Sequence, residues 1–345
     1  MKNAKKYIGF AKSMAVGFGL VLGMSQVAGA QDNFKMASLG AASPSTTFSI
    51  TLIELLKKNN GYKVQLSTGA PATRQAVDAA KRELDLYVTA VSINHFMKNG
   101  LRMYKKMEDA PELFANLRGI LNYPLGAYHG IVWADSGIKS LADIKGKKVF
   151  TGPPSGAART VVGQIIKGST GYEAKTDYDA INLDWSSAAQ AFQDRQVDVY
   201  FVPTSIPNAQ IEQIAVLGEF RVLGIPDSAL ESEEMKRASS LPGRSFVMLS
   251  SDQYPNMANE GSVRLLNTTV GLGANKWMSE EDAYNITKTA LTHNSELAAA
   301  AAWMKVITPQ TALEQMNMPL HMGAYKYYKE VGIDVPDEIV PPEAK

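Results

Sequence analysis

Short apolar runs alternate with amphipathic stretches from residue 35 to about residue 250. Residues 35–39 read as a strand and open onto 40–47, a loop of small and hydroxyl residues. Phe48, Leu52, Leu55 and Leu56 then share one helical face, and Gly61 closes that helix. Val64 and Leu66 alternate with polar neighbours, which predicts a strand over 63–67. A turn, a helix over 73–83 and a strand over 84–88 follow, and 89–94 leaves that strand. Residues 101–116 are helical or irregular, with Met103, Met107 and Leu113 as core candidates. Strands are predicted over 130–134 and 148–151, with a short helix over 141–144 between them. Ser140 followed by Asp143 makes a capping box for that helix.

The alternation continues. Val161, Val162, Ile165 and Ile166 mark a helix from 157 to 167, and Ala188, Ala189 and Phe192 mark another over 187–193. Residues 197–202 form a strand, Ile211, Ile214 and Ala215 a helix, and 220–225 a strand. Residues 228–240 form a charged surface helix and 245–249 a strand. Strands and helices in units of roughly thirty residues argue for parallel α/β sheets. Beyond Val263 the pattern changes: 265–272 is largely apolar and helices follow. Ser279 and Asp282 repeat the capping pattern, 297–304 is alanine-rich, Pro309 suits the first turn of one more helix, and the proline-containing tail 334–345 reads as extended.

In such sheets ligands sit beyond the carboxyl ends of the strands. That rule nominates 40–47, 68–74 and 89–94, and with them Ser43, Thr46, Thr47, Thr68, Arg74 and Ser92. The exit of the 197–202 strand adds Thr204 and Ser205. The glycine-proline loop from Gly152 carries Ser155 and ends where a helix begins. The backbone N–H groups of Ala157 and Ala158 there favour an anion. Arg159 falls in the same first turn, where a cation opposes the helix dipole. It is either a solvated surface residue or a bidentate grip on a carboxylate.

The chain has 345 residues, room for two domains, with 45% apolar and 20% charged residues. Residues 1–30 read as a secretory signal: a basic stretch, an apolar stretch, then Ala28-Gly29-Ala30, with cleavage after Ala30. Losing its four lysines takes the formal net charge from +1 to −3, a poor match for nucleic acid. No other apolar run is as long as a bilayer span. There is no cysteine, which excludes disulfides, thiol catalysis, cysteine metal sites and a lipid-modified N-terminal cysteine. The chain is expected free in the compartment it enters, the periplasm of a two-membrane bacterium. Dinucleotide and phosphate-loop glycine patterns, a nucleophile elbow and His-Glu-x-x-His are all missing. The four histidines are scattered, with His95 and His129 near strand ends. No cofactor, metal or catalytic set is expected.

Residues 135–149, Asp-Ser-Gly-Ile-Lys-Ser-Leu-Ala-Asp-Ile-Lys-Gly-Lys-Lys-Val, resemble the hallmark of TAXI-type substrate-binding proteins of TRAP transporters. Residues 321–332 resemble that family's C-terminal signature, and 281–284 followed by a helix holding Asn294 fits it too. The resemblance covers essentially all of the chain after residue 30. It implies an α/β, two-lobed periplasmic binding protein of type II-like fold, with a cleft between lobes joined by crossing strands. One lobe would be 31–122 plus 250–345, the other 123–249. It further implies a carboxylate fixed by hydroxyls of Ser43, Thr46, Thr47 and Ser155 and by N–H groups of Ala157 and Ala158. Arg159 would be the leading charge partner and Arg74 the second, while Tyr123 and Tyr128 would line an apolar wall. The implied ligand is a small organic anion of the glutamate or 2-oxoglutarate kind, and the implied partners are TRAP permease subunits. The alternative partner is a sensor kinase. The departures from the family pattern, at 40–47, 68–70, 155–158 and 205–207, all fall in ligand loops, so role and fold are better determined than ligand identity.

Overall fold

Asn33 and Lys35 face outward while Phe34, Met36, Ala37 and Ser38 are buried, which makes β1 (Asn33–Ser38) a covered sheet strand. The structure, a computed structural model, describes residues 33–154 and 156–345; the expected signal, residues 1–30, and Ser155 lie outside the described residues. Helix α1 (Pro44–Asn60) starts on Ser43, whose Oγ accepts from the Ser45 N–H at 3.3 Å, with proline at the first helical position. It ends on Gly61 at φ 71°, the left-handed cap that glycine adopts without a Cβ clash. The remaining strands are β2 (Lys63–Thr68), β3 (Leu86–Ala90), β4 (Leu117–Trp133), β5 (Lys148–Phe150), β6 (Asp179–Ala180), β7 (Val199–Thr204), β8 (Phe220–Val222), β9 (Arg244–Leu249) and β10 (Val263–Asn275). The remaining helices are α2 (Ala72–Ala80), α3 (Val91–Lys98), α4 (Ala110–Phe114), α5 (Ala157–Thr170), α6 (Trp185–Gln193), α7 (Ala209–Leu217), α8 (Glu233–Ser239), α9 (Glu280–Thr292), α10 (Asn294–Ala300) and α11 (Met322–Glu330).

One sheet orders the strands β2-β1-β3-β10-β4-β7-β5-β6, with β8 against β4 and β9 against β10. β1, β2 and β3 are mutually parallel, and so are β5, β6 and β7. Between the two trios lie β10 and β4, antiparallel to each other, to β3 and to β7. The α/β class expected from the alternation is the class observed.

The buried side chains gather accordingly. Phe48, Leu52, Leu86, Ile120, Tyr123, Leu125, Leu272, Ile286 and Tyr328 share one core. Val149, Val162, Phe201 and Leu266 form a second, and Trp133, Phe192, Tyr200, Ile214 and Leu265 a third. The change from the first core to the others falls inside both long strands: between Leu125 and Ala127 on β4, and between Leu266 and Val270 on β10.

Several elements differ from the pattern reading. β4 begins at Leu117 rather than 130, and β10 extends the apolar run 265–272 to Val263 and Asn275. Both are buried on both faces over most of their length, so neither shows a two-residue alternation. The capping box of Ser140 and Asp143 is present, over a single 3-10 turn, Leu141–Ile144. Pro309 starts no helix: 308–315 are bends and turns. The alanine-rich helix begins earlier, at Asn294, whose side-chain amide donates to the carbonyls of Met304 and Ile307. The tail is not wholly extended but folds 3-10 turns at Asp337–Ile339 and Pro342–Ala344.

Candidate functional site

The carboxyl ends of β1, β2, β3, β5, β6 and β7 open on one cavity of about 310 Å³. Leu39 and Gly40 follow β1, Gly69 follows β2, Ala90 ends β3, Pro153 follows β5, Asp184 follows β6, and Thr204 ends β7; all line it. This is where open parallel sheets place ligands, because the strands stop there and the helices turn back.

Among the described residues six helices begin at the wall of this cavity, represented by Ser43 of α1, Ala72 of α2, Ser92 of α3, Ala157 of α5, Trp185 of α6 and Gln210 of α7. Each helix start presents backbone N–H groups and a partial positive charge. Ser43, Asp184 and Asn208 cap α1, α6 and α7 with their side chains. α2, α3 and α5 have no side-chain cap, so their first N–H groups remain for an acceptor from outside the helix. Loop shape around α5 depends on Gly152, at φ 112°, where a Cβ would fall 2.9 Å from the Ala158 Cβ and 3.0 Å from the Arg159 nitrogen.

The middle of the wall comes from the long strand pair. Thr268 of β10 pairs with Gly126 of β4, and Thr269 with Pro124, so Leu125 is the extra residue of a bulge. A bulge re-aims the side chain it carries, and Leu125 lines the cavity. Gly126 makes the close approach possible: a Cβ there would lie 1.9 Å from the Thr204 carbonyl oxygen.

Two lining residues among those described carry charge, Arg244 and Asp184. The Asp184 carboxylate is engaged by the N–H groups of Ser186 and Ser187, both at 2.9 Å, and by the Ser187 hydroxyl at 2.7 Å. These bonds, led by those from Ser187, hold its carboxyl below the usual range. Arg244 is different. Its Nη1 donates to the Tyr128 hydroxyl at 3.3 Å and its guanidinium lies 5.4 Å from the Tyr128 ring centroid. Its Nε is buried and has no hydrogen-bond partner. The Thr204 hydroxyl is likewise buried, unpartnered and on the cavity wall. Tyr200, also lining, has its hydroxyl pushed up by burial, an effect that a hydrogen bond with Gln210 lessens, and it stays a neutral phenol. A planar cation with free donors, a neighbouring hydroxyl and uncapped helix starts together suit a carboxylate or a similar anion.

Of the residues expected from sequence, Ser43, Ser92, Tyr128, Ala157, Ala158 and Thr204 line the cavity. Ser155 is outside the described residues, and the others lie elsewhere. Thr46 is buried with its hydroxyl on the carbonyls of Leu39 and Gly40, at 3.1 and 2.9 Å, where it holds the β1–α1 loop. Thr47, one residue on in α1, and Thr68, exposed on edge strand β2, are outside the lining. Arg74 pairs with Asp78 at 2.6 Å on an exposed helix face. Tyr123 packs between Phe48, at 4.8 Å, and Trp303, at 5.7 Å. Ser205 donates to the Pro207 carbonyl at 2.9 Å and accepts at its own carbonyl from Tyr254. Arg159 donates to the Asn182 side chain at 2.6 Å and does not line the cavity. The arginine that lines the cavity is Arg244, and Gln210 and Trp185 line it too; the strand-exit rule reached none of the three. Arg244 begins an antiparallel strand rather than following a parallel one. The signal that marks it is Gly243-Arg244 ahead of an apolar run, with Gly243 at φ 83° against Val91. His129 and His95 are outside the lining. His129 is wholly buried, its Nδ1 2.8 Å from the Ala127 carbonyl.

A cavity of this size, walled by strand ends and helix starts from both parallel trios, defines a solute-binding protein of the α/β class. The chain belongs to the NMT1-like family, whose model matches residues 43–332 and which corresponds to the TAXI-type substrate-binding proteins of TRAP transporters. That is a family of periplasmic solute-binding proteins rather than of enzymes. Among solved structures the chain is similar to a binding-protein component of an ABC phosphonate transporter from Pseudomonas aeruginosa. That likeness has 14% identity and TM-score 0.49, and covers 79% of each chain. It is also similar to the periplasmic aliphatic sulphonate binding protein of Escherichia coli, with 16% identity, TM-score 0.45, 86% of this chain and 78% of that one. A third is the periplasmic ectoine-binding protein of a TRAP transporter from Halomonas elongata, with 15% identity, TM-score 0.44, and 87% and 90% covered. No helix among the described residues is long and apolar enough to cross a membrane.

Proposed function

We propose that this chain is a periplasmic receptor that captures a small organic anion, a carboxylate of the glutamate or 2-oxoglutarate kind, and delivers it to a TRAP-type permease. Residues 1–30 direct export and are removed after Ala30. The lobes are 31–122 plus 250–345 and 123–249, and they close over the solute, so that contacts from both sides exist together only in the closed form.

The observation that carries the reading is Arg244: a guanidinium held against Tyr128 on the wall of a cavity at which six helices begin. The carboxylate sits on Arg244, the Thr204 hydroxyl and the uncapped helix starts. Leu125, Val202, Val270 and Trp185 enclose the carbon skeleton. A volume of about 310 Å³ is at the small end of ligand cavities and favours a compact solute.

The test is a thermal-shift screen of small carboxylates beside their neutral amides. A ligand at about a hundred times its Kd stabilises the folded state by about 2.7 kcal/mol, a rise on the order of 5 °C for a chain of this size. Carboxylates are expected to raise the melting temperature and amides to leave it unchanged. Stabilisation by the amides equal to that by the acids would remove the anion from the reading.

A further inference from the structure

Behind Arg244 lies a second, much smaller cavity of about 30 Å³, and Arg244 and Ala157 line both. Its walls come from two sides of the molecule. Thr160, Val161 and Gln164 of α5 form one side, and Phe96 of α3 with Arg102 and Met103 form the other. Two buried polar atoms of its lining residues lack partners: the Arg244 Nε, which can only donate, and the Gln164 Oε1, which can only accept. The volume is enough to hold a water molecule, and a water needs two to four polar partners to be held in such a place. Thr160 lines the same wall.

We propose that this cavity is a one-water site in which an ordered water accepts from the Arg244 Nε–H and donates to the Gln164 Oε1, making Gln164 the positioning residue for the guanidinium that binds the solute. The bridge joins α5 to the start of β9, so it fixes Arg244 relative to the uncapped start of α5 that shares the anion. It leaves the Nη groups facing the larger cavity.

The part of this inference that concerns solute capture rests on the anion reading above; the bridge itself is tested without solute. A high-resolution crystal structure of the chain is expected to show a water within about 3.2 Å of both the Arg244 Nε and the Gln164 Oε1. In ¹⁵N-labelled protein the Arg244 Nε–H signal, assigned with Arg244→Lys, is expected to exchange about tenfold faster with solvent in Gln164→Leu than in the wild type. Gln164→Glu, which keeps an acceptor, is expected to retain the slow exchange. Equal exchange in wild type and Gln164→Leu, or a crystal structure with the Gln164 oxygen bonded elsewhere, overturns the bridge. The carboxylate screen is a separate measurement, so its failure would remove the anion reading while the bridge stood or fell on these data.

Discussion

The Nη1 of Arg244 donates to the Tyr128 hydroxyl at 3.3 Å while the guanidinium lies 5.4 Å from the centre of the same ring. Tyr128 therefore holds Arg244 from one side by a hydrogen bond and a cation–π contact and leaves its other donors for a solute. A charge-assisted hydrogen bond contributes roughly 1.5–3 kcal/mol, about a tenfold to hundredfold change in affinity. Arg244→Ala is expected to weaken the best carboxylate of the screen by at least about tenfold in calorimetry. Arg159→Ala should leave its affinity within about twofold, because Arg159 is turned to Asn182. The opposite ranking of the two variants would return the site to Arg159.

Gly126 sits where no side chain fits. A Cβ would lie 1.9 Å from the Thr204 oxygen and 2.5 Å from the Ser205 nitrogen, and the residue has φ 127°. Both obstacles are backbone, so neither can rotate away, and β4 would have to leave β7 at the bulge that points Leu125 into the cavity. Gly126→Ala is expected to destabilise the fold by about 3 kcal/mol or more, within the range of strained or overpacked substitutions. Solute binding should weaken with it. Urea denaturation checks the first and calorimetry the second. A variant of wild-type stability would mean that the two strands do not approach as closely as described.

How much of this was legible beforehand follows from what kind of signal each residue left. The strand-exit rule reached Ser43, Ser92 and Thr204 because they follow parallel strands whose apolar runs are short and bounded by turns. The pattern found only the end of β4, at 130–134, and the apolar middle of β10, at 265–272, because both strands are buried on both faces and carry no alternation; the bulge at Leu125 was missed with the rest. Arg244 was hidden for a different reason: it starts the antiparallel strand β9, whereas the rule looks only beyond the ends of parallel strands. Thr46 and Arg74 had the right chemistry in the right loops. The first is taken up by carbonyls of its own loop and the second by a carboxylate one helical turn away. A sequence names the donors of a loop, whereas which donors remain free depends on the pairing of backbone groups in three dimensions.

Two buried histidines set an expected pH dependence. Burial lowers His129 to about 4, against a smaller opposing effect of its bond to the Ala127 carbonyl. Burial lowers His321 to about 4 as well, against its bond to the Met278 carbonyl. In the unfolded chain both titrate near 6.5. Above that value neither state binds the proton and neither histidine affects stability. Between about 6.5 and 4 the unfolded chain takes up protons that the folded one refuses, so stability falls as the pH falls, and below about 4 the loss levels off. The loss is on the order of 3 kcal/mol for each residue. Urea midpoints measured from pH 7.5 to 4 should decline through this window, and the decline should be shallower in His129→Gln. A flat profile over that range would show that these imidazoles are not held neutral.

The last turn of the chain is tied to the start of β4 by an ion pair. The Nη2 of Arg118 donates to the Glu343 carboxylate at 2.6 Å, while Nη1 donates to the carbonyls of Ala115 and Leu117 at 2.9 and 2.8 Å. The Arg118 side chain is 5% exposed and that of Glu343 46%. Burial pushes the Glu343 carboxyl up, but its bond to Arg118 and the nearby charge more than offset this and leave it lowered. Removing the carboxylate leaves a buried guanidinium with carbonyls alone for partners. Breaking a fully buried pair costs about 3–5 kcal/mol and an exposed one about 0–1 kcal/mol. Glu343→Ala, with one partner buried and the other half exposed, is expected to cost about 1–2 kcal/mol in urea denaturation. Glu343→Gln should cost less, since it keeps the hydrogen bond and loses only the charge. Solute affinity should change in neither, because the pair is absent from the cavity wall. A Glu343→Ala variant within about 0.3 kcal/mol of wild type would show that the tail is not held by this contact.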